Sequence, residues 1–114
     1  MKLSIESQMI KGHMDLLILA AIHHHGATHG YRIRQLLTDR SNRTVHPSYG
    51  QLYPHLAKME KSGLLRSRIE TVGERRERRT YALTAQGRAE LKRRIAVWNA
   101  FSDGISRILH DIRF

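Results

Sequence analysis

Ser48, Tyr49, Gly50, Gln51, Tyr53, His55 and Lys58 stand within one short stretch, SYGQLYPHLAK, whose spacing predicts the outward polar groups on the first turns of a helix. Hydroxyl, amide and ammonium groups of this kind reach base edges and phosphate oxygens, and glutamine pairs bidentately with adenine. Gly50 permits close backbone approach, and a helix N-terminus favours a phosphate. Tyr53 fits a place against the core as well as one against a polyanion. Further on, Arg75, Arg76, Arg78 and Arg79 crowd around a glycine turn. Guanidinium groups in such a place neutralise phosphates and release counterions; a merely solvated face is the plainer reading of the same run.

Two other groups of residues carry chemistry. His23, His24, His25 and His29 account for half of the 8 histidines. Imidazole ligates zinc, nickel or iron, but three consecutive helical residues point about 100° apart and do not converge on one ion. At the end of a helix they are also favoured simply as cations. His29 is expected to cap or to pack near Tyr31. Trp98, the only tryptophan, fits either packing between subunits or a stacking face for a planar ligand.

These residues need elements to position them. Apolar residues from Met14 to Ile22 predict a buried first helix over 12–25, stopped by Gly26. Thr28 is the expected cap of a second helix over about 28–40, with Tyr31, Ile33, Leu36 and Leu37 inward. After a polar turn, Ser48 caps a third helix over about 49–62, with Leu52, Leu56 and Met59 inward, a bend at Pro54 and a stop at Gly63. Strands are expected over 64–70 and 78–83, joined at Gly73. Thr84 caps a last helix that runs to the C-terminus. Along it Leu91, Ile95, Trp98, Ser102, Ile105, Leu109 and Ile112 alternate at spacings of four and three, a heptad seam; Phe101 and Ile108 widen it. The preceding residues are too few to cover such a seam, so a second copy is expected to do so. Three helices followed by a hairpin are the order of a winged helix-turn-helix. The fold class is therefore mainly α with a small β-hairpin. Residues 1–83 form the DNA-binding domain, with 1–10 as an N-terminal arm, and 84–114 the C-terminal dimerisation helix.

Composition agrees. The chain has 114 residues, 20 Lys and Arg against 10 Asp and Glu, and a formal net charge of +10. From Arg66 to Arg94 there are ten basic residues and four acids, so most of the excess sits at the hairpin and just after it. A basic domain of this kind meets a polyanion. The absence of cysteine excludes disulfides, thiolate zinc sites and cysteine nucleophiles, and suits a cytoplasmic location. The longest apolar run, Leu16 to Ile22, is short of the roughly 20 residues that span a bilayer, and its flanks are not those of a signal peptide. There is no Gly-rich phosphate loop, nucleophile motif or paired-carboxylate site, so neither an enzyme nor a cofactor is expected.

Three motifs resemble those of PadR-type transcriptional regulators. DLLILAAIHHHGATHGYRIRQLL is similar to the family's first two helices, with the HGY entry to the second; GQLYPHLAKMEKSGLL is similar to its recognition helix; GERRERRTYALTAQGR is similar to its wing. The resemblance covers about residues 12–94. It implies a repressor that binds a palindromic operator and is released by a small molecule. The single last helix resembles that of the short subfamily, whose members are homodimers. By position it places Ser48, Gly50, Gln51 and Tyr53 on the DNA-facing start of helix three, Arg76, Arg78 and Arg79 on the wing, and Trp98 where some small members stack planar aromatic ligands near the dimer centre. His55 after Pro54, and Glu77 within the basic run, depart from the family pattern and bear on operator preference. The expected partners are thus a double-stranded DNA operator, a second copy and a small effector. Two other readings remain at this point: a metal- or haem-responsive regulator using His23, His24, His25 and His29, and a basic nucleic-acid-binding structural protein without effector.

Overall fold

The computed structural model describes residues 7–74 and 76–114. Residues 1–6 of the expected arm, and Arg75, lie outside the described residues. The element order is α1 (Ser7–His25), β1 (Thr28–His29), α2 (Gly30–Arg40), α3 (Tyr49–Lys61), β2 (Leu65–Val72), β3 (Arg76–Leu83) and α4 (Ala85–Leu109).

The first helix starts five residues earlier than its apolar pattern suggested. Ile10 extends the buried stripe of Met14, Ile18 and Ile22 by one turn at the helical spacing of four. This stripe is the centre of the molecule. Ile33 from α2, Leu52, Leu56 and Met59 from α3, Leu65, Tyr81 and Leu83 from the sheet, and Leu91 from α4 close around it. Burying each such side chain stabilises the fold by about 1.5–3 kcal/mol, which makes this one cluster the anchor for every element that carries a functional group.

Two expectations for α2 are corrected. Its cap is His29, whose ring accepts a hydrogen bond from the Arg32 amide, and not Thr28. Thr28 and His29 instead form a short strand, with Thr28 opposite Tyr81 and His29 opposite Thr80, so the hairpin becomes a three-stranded antiparallel sheet in the order β1-β3-β2. Tyr31, expected inward, is 59% exposed. At the start of α2 it follows the backbone as it leaves the sheet and stacks on the His29 ring, 6.3 Å between centres.

Ser48 caps α3 through a reciprocal pair: its hydroxyl accepts from the Gln51 amide at 3.2 Å, and the Gln51 side-chain oxygen accepts from the Ser48 amide at 3.1 Å. Gly63 ends this segment at φ +83, in the left-handed region that glycine favours. Leu65 to Val72 pair with Leu83 to Arg76 in unbroken register around Gly73, φ +71. Thr84 caps α4 and also donates to the Gly63 carbonyl at 2.6 Å, tying the last helix to the turn after α3. Gly87 allows this approach, because a β-carbon there would collide with the Leu64 carbonyl.

The last helix stops at Leu109, short of the C-terminus; His110 caps it and Asp111 turns the chain at φ +62. Leu91, counted in the seam, is already buried in the protomer's own core. The uncovered part of the seam therefore begins at Ile95. Ile95, Trp98, Phe101, Ile105, Ile108 and Leu109 are all exposed.

Candidate nucleic-acid interface

The turn between α2 and α3 is braced from α2. Arg34 donates to the Pro47 carbonyl at 2.6 Å and contacts the His46 ring at 2.7 Å; the other nitrogen of that ring meets Thr38 Oγ1 at 2.6 Å. The Arg34 guanidinium also lies 4.7 Å from the centre of the Tyr49 ring, a cation–π contact. These bonds hold Pro47 and Ser48, and hence the first turn of α3, in one orientation. No sequence signal singled out Arg34, since its partners lie across a turn of irregular backbone.

Tyr49 and Tyr53 lie one turn apart on α3, their ring centres 5.8 Å from each other. Tyr53 is not a core residue: it is 47% exposed and the hydroxyl end of its ring lies against Gly30. A β-carbon at Gly30 would come within 2.8–2.9 Å of the tyrosine ring and hydroxyl. The glycine of HGY and the tyrosine of LYP are thus one contact between two helices. Gly50 and Lys58 are exposed on α3, Lys58 in its last turn. His55 is turned away from this surface, contrary to its expected place among the outward polar groups; its Nδ1 meets Asp15 Oδ1 of α1 at 3.0 Å.

The wing arginines divide between the two faces of the sheet because side chains alternate along a strand. Arg79 points to the α3 side and donates to Ser67 Oγ at 2.8 Å; the same hydroxyl donates to Glu60 of α3. Arg78 lies opposite Glu70 and Arg76 opposite Val72. A hydrogen bond from Arg68 holds the Glu70 carboxyl below its ordinary range. Beyond its short pairing with β1, β3 has one edge facing α2. There His29, Tyr31, Tyr53, Arg76, Arg78 and Arg79 line a groove of about 490 Å³. The structure therefore brings the tyrosine of the third helix and the described wing arginines to one surface, and adds Tyr31, which the sequence reading had turned inward. Lys58 does not line this groove. Burial, with Arg78, His25 and Arg32 acting in the same sense, keeps the His29 imidazole below its ordinary value, so this cap is neutral beside the cationic wing.

A second concavity, about 440 Å³, lies between α1 and α4. Met9, Leu16, Leu17, Phe101 and Ile105 contribute apolar walls to it. Trp98 stands on its rim, 41% exposed, edge-on to His13 with ring centres 5.0 Å apart and 6.1 Å from Phe101. His23, His24 and His25 are exposed at the end of α1. Among the described residues no group of three or more His, Asp or Glu side chains is placed to hold a metal ion. Among them, too, no helix is long and apolar enough to cross a membrane.

Comparison with known proteins gives a family match and structural matches. The model of the transcriptional regulator PadR-like family matches residues 18–93. A transcriptional regulator from Clostridium thermocellum is 26% identical, with TM-score 0.79 over 90% of this chain and 96% of that one. A PadR-like transcriptional regulator from Bacillus cereus is 25% identical, with TM-score 0.77 over 93% and 100%. PadR of Bacillus subtilis, solved in complex with operator DNA, is 26% identical, with TM-score 0.67 over 72% of this chain and 46% of that one.

Proposed function

This chain belongs to the PadR-like family of transcriptional regulators, which bind DNA and are not enzymes, and from that premise we propose that it is a homodimeric repressor released from a palindromic operator by a small planar aromatic effector. The observation that carries this reading is the single surface formed by Tyr53 of α3 and the wing, together with the exposed apolar residues of α4. Ser48, Tyr49, Gly50, Gln51, Tyr53 and Lys58 face the major groove and its flanking phosphates in this reading; Arg75, Arg76, Arg78 and Arg79 follow the backbone. The similarity to a relative solved on its operator supports this docking. Residues 1–83 make up the DNA-binding unit and 84–114 the subunit contact, and the protein acts in the cytoplasm, where its DNA lies.

Pairing of two copies through Ile95, Trp98, Ile105 and Leu109 produces twofold symmetry, and a twofold dimer reads two half-sites of a palindrome. The effector stacks on Trp98 in the concavity between α1 and α4. Footprinting of the DNA upstream of the protein's own gene is expected to show two symmetric protected half-sites; uniform protection of all DNA would overturn the repressor reading. Planar aromatic compounds are expected to quench Trp98 emission and to lengthen the footprinted region's exposure to cleavage. Emission unmoved by a panel of such compounds would leave Trp98 with packing alone.

A further inference from the structure

Three helices meet at one carboxylate. Asp15 of α1 accepts a hydrogen bond from His55 Nδ1 of α3 on one oxygen, at 3.0 Å, and faces the Arg94 guanidinium of α4 with the other, at 3.6 Å. Arg94 is itself held on α4 by Glu90 at 2.8 Å. Asp15, His55 and Arg94 are 24%, 23% and 31% exposed, so the attraction is only partly screened by water. Arg94 lies one helical turn before Trp98, and Asp15 two residues after His13, whose ring meets Trp98. The polar contacts at Asp15 thus join α1 and α4, close along both helices to the rim of the apolar concavity, to the helix that carries Tyr49 and Tyr53.

We propose that Asp15 is a positioning residue that registers the DNA-facing helix α3 against α4, so that a displacement of α4 at Trp98 is felt at the DNA surface. The three apolar contacts of α3 with the core, Leu52, Leu56 and Met59, fix its depth. They leave it freer to slide along or roll about its axis, because apolar contact is not directional. The His55–Asp15 hydrogen bond is directional and restricts that freedom at the middle of the helix, between the Arg34 bonds at its first turn and the Ser67–Glu60 bond near its end. Its other oxygen makes the constraint depend on where Arg94 stands. Without it α3 spends less time in the DNA-competent pose, and apparent affinity falls in proportion. The proposal rests on the DNA-binding reading of α3 and extends it to how that helix is governed.

The test uses the full chain and a fluorescein-labelled duplex selected from a random pool by the wild type. Asp15→Ala is expected to weaken binding by about 5- to 10-fold, the lower end of the usual coupling range because the groups are part-exposed. Asp15→Asn, which keeps an oxygen for His55 and the shape of the side chain, guards against a simple loss of folding and is expected to fall between the two. Arg94→Gln is expected to weaken binding without changing the salt dependence, since Arg94 acts through Asp15 and not on a phosphate. The Asp15→Ala, Arg94→Gln double variant is expected to bind no more weakly than Asp15→Ala alone. The change in Trp98 emission on adding duplex should shrink in Asp15→Ala, a signal that an unlinked structural role would leave intact. Full additivity of the two substitutions, or an unchanged affinity and emission response in a folded Asp15→Asn and Asp15→Ala pair, overturns the proposal while leaving DNA binding standing. A wild type that selects no duplex overturns both.

Discussion

Phe101 stands near the middle of the uncovered stretch of α4, between Ile95 and Leu109, so either a parallel or an antiparallel pairing of two copies covers it. Within one protomer its side chain is 55% exposed. Fully burying a phenylalanine is worth about 1.5–3 kcal/mol, so the part that a second copy would cover is worth about 0.8–1.6 kcal/mol. Twofold symmetry counts it twice, about 1.6–3.2 kcal/mol, which is roughly a 15- to 200-fold change in the dimer dissociation constant. Phe101→Glu is expected to weaken the dimer by at least this much, because it also sets two like charges near each other at the centre of the contact. The protomer itself should lose only about 0.7–1.4 kcal/mol, the worth of the part of the side chain it already covers. Sedimentation equilibrium across a concentration series measures the constant, with Ala100→Glu, an exposed position on the side of the helix away from Ile95, Trp98 and Ile105, as the charge control. A Phe101→Glu protein that remains dimeric with the wild-type constant would refute the assignment of this face to the subunit contact.

Arg76 lines the groove with Tyr53 and Tyr31, so Arg76→Ala should reduce the slope of log affinity against log salt by about 0.9, the value for one lost phosphate contact; an unchanged slope places it off the DNA. Gly30→Ala is expected to keep the fold, because the obstructing atoms are the far end of the Tyr53 side chain, but to push that ring out of place and weaken DNA binding. Equal affinity with a displaced ring would remove Tyr53 from the interface. Gly87→Ala meets a backbone carbonyl that cannot swing aside, so overpacking should cost about 1–3 kcal/mol, seen as a lower melting temperature; a melting temperature at or above wild type would refute the close approach. His29 has a folded pKa below its ordinary 6.5. As pH falls below 6.5 the unfolded chain takes up that proton first, so stability is fully present above 6.5 and declines towards the folded value. His29→Asn retains an acceptor for the Arg32 amide and should flatten this decline in denaturant melts made above and below that pH; an equally steep decline would place its origin elsewhere.

Much of the frame was legible in the amino-acid order. Ser48, the buried triplet Leu52, Leu56 and Met59, and Gly63 locate α3 to within one residue, since capping and helical periodicity act over a single turn or two. Gly73 places the wing turn for the same reason. The apolar face of α4 was also visible as a period: Leu91 is buried, while Ile95, Trp98 and Phe101 stay exposed among the described residues of the protomer. The site was legible in its residue types more than in their tasks. Gln51 reads as an adenine-pairing side chain, yet its oxygen closes the cap of its own helix. His55 reads as an outward polar group, yet it bonds to a carboxylate forty positions earlier.

Local interactions were thus determined by the sequence: where α3 begins and ends, which stripe is apolar, and where the positive charge gathers. Tertiary structure decided what depends on segments far apart in the chain. The two-residue strand β1 has no period to read and exists because Tyr81 and Thr80 lie beside it. Tyr31 faces outward because the chain enters α2 from that strand, and Gly30 is needed because Tyr53 lies across it. Asp15 gains its meaning only when α1, α3 and α4 converge. A side chain's type follows from the code, but its partner is chosen by packing, which brings together residues whose separation along the chain carries no local signal.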